Sequence, residues 1–224
     1  MIPDSSGFVQ KDPMRRFWIG ILAIFVGVAA VRLISALLPA PDHSGDHPAV
    51  GRYLPELQLQ GLGEGTSPLD LDDLQGRVVL LNFWGTWCGP CIQEVPHMAD
   101  LYKRFRDGEG FQLITVSCGA GGDDSDLAGL ADKTSEFLEA RRLELPTYAD
   151  RGGVTRRAIM MALDSDLGYP TTLLLDEDSS IRAVWEGFDS PFPRQMSDRI
   201  EALLADRDAA NTASSGDNKV TSRP

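Results

Sequence analysis

Cysteine is scarce in this chain of 224 residues: there are three, and only two of them lie close together. A disulfide-stapled scaffold carries an even and larger number, and a structural metal site built on one C-x-x-C pair needs two more ligands, usually a second close pair. Neither requirement is met. Positive charge is also in deficit, with 21 Lys and Arg against 33 Asp and Glu and a formal net charge of −12. Such a balance offers no phosphate counterions to release, which argues against nucleic acid as a partner. Solubility is the plain meaning of the acidity, and steering of a basic partner is the alternative. No internal repeat is visible.

What the chain does have is Trp87-Cys88-Gly89-Pro90-Cys91, directly after the apolar run Val78-Val79-Leu80-Leu81-Asn82-Phe83-Trp84. Two cysteines with two residues between them, at a strand-to-helix switch, can close a disulfide and reopen it. Unpaired N–H groups and the macrodipole at a helix start stabilise a thiolate, lowering the pKa of the first cysteine. The pattern therefore points to thiol–disulfide exchange. Cys88 is the expected nucleophile, its sulfur exposed at the helix start, and Cys91, one turn on, is expected to be more buried and to release product.

Around that pair, several residues have both a chemical and a plain reading. Glu94 lies three residues beyond Cys91 and hence near it on the helix. Burial would raise its pKa towards the range useful for exchanging a proton with Cys91; otherwise it is a solvated helical residue. Trp87 either covers the disulfide and docks substrate or simply packs. Cys118, ending the run 111–117, reads as a small buried hydrophobe or as a third redox thiol. His97 reads as a partly exposed helical histidine, with a metal-assisted role as the alternative. His43 and His47 carry no assigned chemistry.

Residues 17–38 form one apolar segment broken only by Arg32. At helical rise this reaches about 33 Å, enough for a bilayer core of about 30 Å. Lys11, Arg15 and Arg16 precede it, so the positive-inside rule places the N-terminus in the cytoplasm and the remainder outside. Arg32 is near enough to the end of the segment to snorkel. A cleaved signal peptide is the competing reading, but the small-residue pattern near Leu38-Pro39-Ala40 is poor, which favours a single-pass anchor in the cell membrane. Either way the domain is exported. The expected organisation is a cytoplasmic 1–16, a transmembrane 17–38, a Pro/Gly/Asp-rich linker 39–49, a domain over 50–206 and a disordered polar tail 207–224.

Within the domain the pattern alternates strand and helix. Residues 78–83 and 111–117 read as buried strands, and 89–106 as a helix with Val95, Met98, Leu101, Tyr102 and Phe105 on one stripe, kinked at Pro96. Residues 119–132 read as a loop, 134–143 and 154–163 as helices, and 146–149 as a short strand. A hairpin over 171–175 and 181–185 and a helix at 193–206 complete the series. The implied class is α/β, a mixed sheet with helices on both faces.

Phe83-Trp84-Gly85-Thr86-Trp87-Cys88-Gly89-Pro90-Cys91, Pro96 and Tyr169-Pro170-Thr171 resemble the thioredoxin fold. The approach Gly51-Arg52-Tyr53-Leu54-Pro55, with Leu71-Asp72-Asp73-Leu74-Gln75-Gly76-Arg77-Val78-Val79, is closer to the TlpA/ResA-like membrane-anchored, extracytoplasmic oxidoreductases. This resemblance, over residues 50–206, implies a three-layer α/β/α sandwich with a mixed central sheet, preceded by one transmembrane helix. It implies catalysis by Cys88, Cys91 and Glu94, a cis Pro170 opposite the pair, and a substrate-binding set of Trp87, Gly89, Pro90, Tyr169 and Pro170. It implies no metal and no cofactor beyond the cysteine pair. The partners it implies are exported proteins with cysteine pairs and a membrane-embedded electron donor. The direction it implies is reduction, extending to apocytochrome c before haem attachment.

Two positions depart from the thioredoxin pattern. Thioredoxin has a buried Asp six residues before its first active-site cysteine, where this chain has Asn82; the ResA-like group often has a Glu three residues after the second, here Glu94. The loop 119–132 is also long for the family. A copper carrier of similar fold using Cys88, Cys91 and His97 is the alternative function. Such carriers resemble one another in C-x-x-x-C spacing with a distant His, which this chain lacks.

Overall fold

The computed structural model describes residues 13–37, 40–63, 65–122 and 124–217. The chain divides into two units, Met1–Pro41 and Asp42–Pro224. In the first, Pro13–Leu37 forms helix α1. Among the described residues no helix is long and apolar enough to cross a membrane. The expected span 17–38 includes positions outside them, Leu38 and several side chains of α1, and Lys11 also lies outside.

The second unit runs β1 (Gln58–Gly61), β2 (Leu69–Asp70), β3 (Val78–Trp84), α2 (Gly89–Phe105), β4 (Phe111–Ser117), α3 (Leu127–Arg141), β5 (Thr147–Ala149), α4 (Val154–Leu163), β6 (Thr171–Leu175), β7 (Ile181–Glu186) and α5 (Phe192–Asp217). Its strands form one sheet in the order β2-β1-β5-β4-β3-β6-β7. β3 pairs parallel with β4, and β4 with β5; β6 runs antiparallel to both β3 and β7. β3 is buried along its whole length because its alternating side chains feed two cores. Val78 and Leu80 pack with Met98, Leu101 and Phe105 of α2 and Met196 and Ile200 of α5. Val79, Leu81 and Phe83 pack with Ile159, Ala162 and Leu163 of α4. Helices thus cover both faces of a mixed sheet, as expected.

Four boundaries differ from the sequence expectation. The stretch 39–49, read as a linker, is folded from Asp42 on: Asp42 accepts from Arg199 Nε at 2.6 Å, Ser44 is buried and Ala49 is fully buried in the core. An ion pair that joins such distant positions leaves no mark on local composition. In the expected loop 119–132, α3 already begins at Leu127, because the Asp126 carboxylate accepts the Gly129 N–H at 2.9 Å and caps the first turn. The antiparallel pair β1–β2 was not anticipated, since β1 buries only one of its four side chains and shows no apolar run. Finally, α5 continues to Asp217 where a disordered tail was expected from 207. Arg207 Nη2 anchors it by donating to the Glu109 carbonyl at 2.8 Å, and Ala209 and Ala210 favour helix without any apolar face. Residues 218–224 lie outside the described residues.

Candidate active site

The site is built where β3 turns into α2. Gly85 opens that turn: a Cβ there would fall 2.5 Å from Trp87 Nε1 and 2.9 Å from the Cys118 carbonyl oxygen, so the close approach requires glycine. The room lets Trp87 Nε1 donate to that carbonyl at 2.9 Å. Cys88 is the N-cap of α2, and its Sγ accepts the Cys91 N–H at 3.2 Å. Pro90 occupies the first turn, where a missing N–H leaves no bond unmade. Cys88 and Cys91 are joined as a disulfide with their Cα atoms 5.2 Å apart.

From the neighbouring strand, the loop before β6 comes up to the pair. The Tyr169–Pro170 bond is cis. The Tyr169 carbonyl oxygen lies 3.5 Å from Cys88 Sγ, and the Tyr169 ring meets Trp87 edge-on at 5.4 Å. The Pro170 carbonyl is held by the Gly187 N–H at 2.7 Å. Trp87 is 46% exposed and Gly89 and Pro90 are exposed, whereas Cys88 retains 5% and Cys91 none. The expectation of an exposed Cys88 is corrected here: in the disulfide state it is nearly covered, packed with Trp84 and Val95 and against Tyr169.

Beneath the disulfide, Glu94 is fully buried rather than on a solvated helix face. Its carboxylate accepts from Asn82 Nδ2 at 2.8 Å, and Thr172 Oγ1 lies 3.5 Å from its other oxygen. Burial pushes its pKa up to about 7, against the two hydrogen bonds that lower it. Asn82 and Thr172 face each other in the β3–β6 register, so the sheet presents a neutral amide and a hydroxyl to the acid.

A second buried polar cluster stands on the other flank. Arg156 in α4 reaches Asp124 at 2.8 Å and Asp150 at 3.4 Å, both carboxylates being buried. Asp150 also accepts the N–H groups of Thr155 and Arg156 at 3.0 and 2.8 Å, and Asp124 accepts that of Gly119 at 2.7 Å. Burial beside Arg156 and Cys118 pushes the Tyr169 hydroxyl up to about 12. Sequence reasoning missed Arg156 and Thr172. Each sits in an element whose apolar pattern gave the only signal.

Cys118 is buried, and burial followed by the charge of Asp124 pushes its thiol up to about 12. A thiol so hard to ionise fits the buried-hydrophobe reading. Its carbonyl, which holds Trp87, is what serves the site. His97 stacks on Phe188 at 5.6 Å. Among the described residues no group of three His, Cys, Asp or Glu is placed to hold a metal.

Comparison with known proteins fits this geometry. The AhpC/TSA family pattern matches residues 50–184. The chain belongs to the AhpC/TSA family. The thiol–disulfide oxidoreductase ResA of Oceanobacillus iheyensis is 28% identical over 199 residues, covering 88% of this chain and 92% of that protein. ResA of Bacillus subtilis is 34% identical over 119 residues, covering 53% and 58%. A Chlorobium tepidum structure described as a thiol:disulfide interchange protein, DsbE, superposes with a TM-score of 0.55 at 28% identity, covering 69% of this chain and 97% of that one. Within the AhpC/TSA family this chain is a thiol–disulfide oxidoreductase of ResA-like type with a thioredoxin-like fold.

Proposed function

We propose that the chain is a membrane-anchored, extracytoplasmic reductant of cysteine pairs in exported proteins. The observation that carries the reading is Cys88 at the N-cap of α2, its sulfur taking the Cys91 N–H beneath the Tyr169 carbonyl. In the reduced state that N–H and the helix dipole stabilise a Cys88 thiolate. The thiolate attacks a substrate disulfide, one substrate sulfur leaves as thiolate, and a mixed disulfide forms. Cys91 then loses its proton towards Glu94 and attacks Cys88 Sγ, releasing the second substrate thiolate. Two electrons have passed to substrate, and the Cys88–Cys91 disulfide remains to be reduced again by a dithiol donor in the membrane.

Trp87, Gly89 and Pro90 form the exposed rim on which a substrate would rest, the backbone at Tyr169 would pair with its extended chain, and the cis Pro170 would shape that edge. The anchor reading rests on the apolar 17–38 and on Lys11, Arg15 and Arg16 ahead of it. Apocytochrome c before haem attachment is the substrate class that the ResA resemblance suggests. The exchange uses the protein's own sulfurs and needs no cofactor.

The test is trapping and potential together. Cys91→Ser should accumulate a mixed disulfide with a model substrate, Cys88→Ser should abolish exchange, and the couple should poise near −270 mV rather than near −120 mV. A potential near the upper value makes the protein an oxidant. Stoichiometric copper on the reduced protein without disulfide reductase activity would instead favour the carrier.

A further inference from the structure

An open groove of about 870 Å³ begins at Trp87 and Tyr169 and runs along the start of α4. Pockets of about 300–1,000 Å³ accept a small ligand or a few residues of chain rather than a folded partner. The catalytic steps leave this groove unused. Trp87 and Tyr169 belong to both places, since the Tyr169 carbonyl also faces Cys88 Sγ at 3.5 Å. A polypeptide joined to Cys88 through its own sulfur lies within reach of these two residues.

The arginines that line the groove differ in how their charge is answered. Arg156 is compensated by the buried Asp124 and Asp150. Arg151 and Arg157 are exposed, and the exposed Asp166 also lines the groove. Arg157 Nη1 donates to the Gly152 carbonyl at 2.7 Å, which orients its guanidinium and leaves further N–H donors to offer. Three arginines against Asp124, Asp150 and Asp166 leave this patch neutral on a chain of net charge −12, with its two exposed cations lining the same groove as Trp87. Guanidinium groups are weakly hydrated forks that match carboxylates.

We propose that this groove seats the stretch of substrate chain flanking its reactive cysteine, and that Arg151 and Arg157 select an acidic side chain within it. The inference rests on the thiol–disulfide exchange reading and names a substrate preference for that same site. It opposes the simplest electrostatic expectation, in which an acidic protein steers basic partners.

The test uses the reduced full-length chain and pairs of disulfide-bridged peptides that differ only in Glu or Lys, placed in turn two to five residues from the attacked cysteine. At one or more positions kcat/KM should favour Glu by about tenfold at low ionic strength, with the preference shrinking as salt rises. The double variant Arg151→Glu, Arg157→Glu alters exposed side chains only and should reverse the preference at that position. Equal rates or a Lys preference at every position in the native chain overturns the proposal, as does a Glu preference that the double variant retains. Reduction of no peptide at all overturns the exchange reading and this inference with it, a result distinct from reduction of both peptides at equal rates.

Discussion

Two carboxylates in this domain are fully buried, Glu94 on α2 and Asp150 before α4. Their surroundings meet the same desolvation cost in opposite ways. Asp150 takes two backbone N–H groups at the start of a helix and the Arg156 guanidinium, so its charge is answered on all sides. Glu94 is offered a side-chain amide and a distant hydroxyl, and its pKa rises to about 7. A buried acid answered by donors and a cation is structural; one answered by neutral groups keeps a proton to exchange. The difference separates scaffold from chemistry without reference to position in the sequence.

The largest effect should come from breaking the structural side. Asp150→Ala uncaps the start of α4 and removes one of the two buried carboxylates paired with Arg156, and should cost about 3–5 kcal/mol in denaturant unfolding. Glu94→Gln at pH 5 replaces an acid that is already protonated by a near-isostere, and should cost less than about 1 kcal/mol. Equal losses in the two variants would erase the distinction.

The pH dependence gives the next effect. The folded pKa of Glu94, about 7, exceeds its ordinary 4.5, so between these values the native state holds a proton that the unfolded chain has lost. Stability tied to this group is therefore full below about pH 4.5 and falls as pH rises through 7, by on the order of 3 kcal/mol. Glu94→Gln should flatten that fall and be more stable than the native protein at pH 8. Denaturation midpoints measured across pH 4–9 check this, and a fall that persists in the variant assigns it elsewhere. Turnover of the variant should also lose its pH inflection near 7.

The sequence showed one half of this contrast and hid the other. Cys88 and Cys91 were legible because their chemistry depends on local features, a close pair and a strand-to-helix switch. Glu94 was legible through its spacing and a family resemblance, but the Thr172 hydroxyl that faces it is brought opposite Asn82 only by strand pairing. The ion cluster of Arg156, Asp124 and Asp150 joins an Asp/Gly-rich loop to a helix read only for its apolar stripe. Likewise β3, β4, α4 and β6 followed from dense apolar runs, whereas β1 rests on backbone pairing with β2 and β5, and the first turns of α3 and the folded stretch from Asp42 on polar contacts made at a cap or at a distance. Apolar patterning is repeated along the chain and survives local noise; a lone hydrogen bond or ion pair is not.

The smallest effect sharpens the comparison furthest. Thr172→Val keeps the shape of β6 but removes the hydroxyl that faces Glu94 at 3.5 Å and accepts from Asn82 at 2.9 Å. The ionised form of Glu94 loses a donor while the protonated form loses little, so its pKa must move further up. Stability should drop by about 1 kcal/mol, and the pH midpoint near 7, in both denaturation and turnover, should shift upward by a few tenths of a unit. The Asp150 cluster shares no hydrogen bond with Thr172, so the acid side of the stability curve should not move. A midpoint that stays fixed or moves down would mean that the charge on Glu94 is answered by a group other than the amide and hydroxyl on β3 and β6.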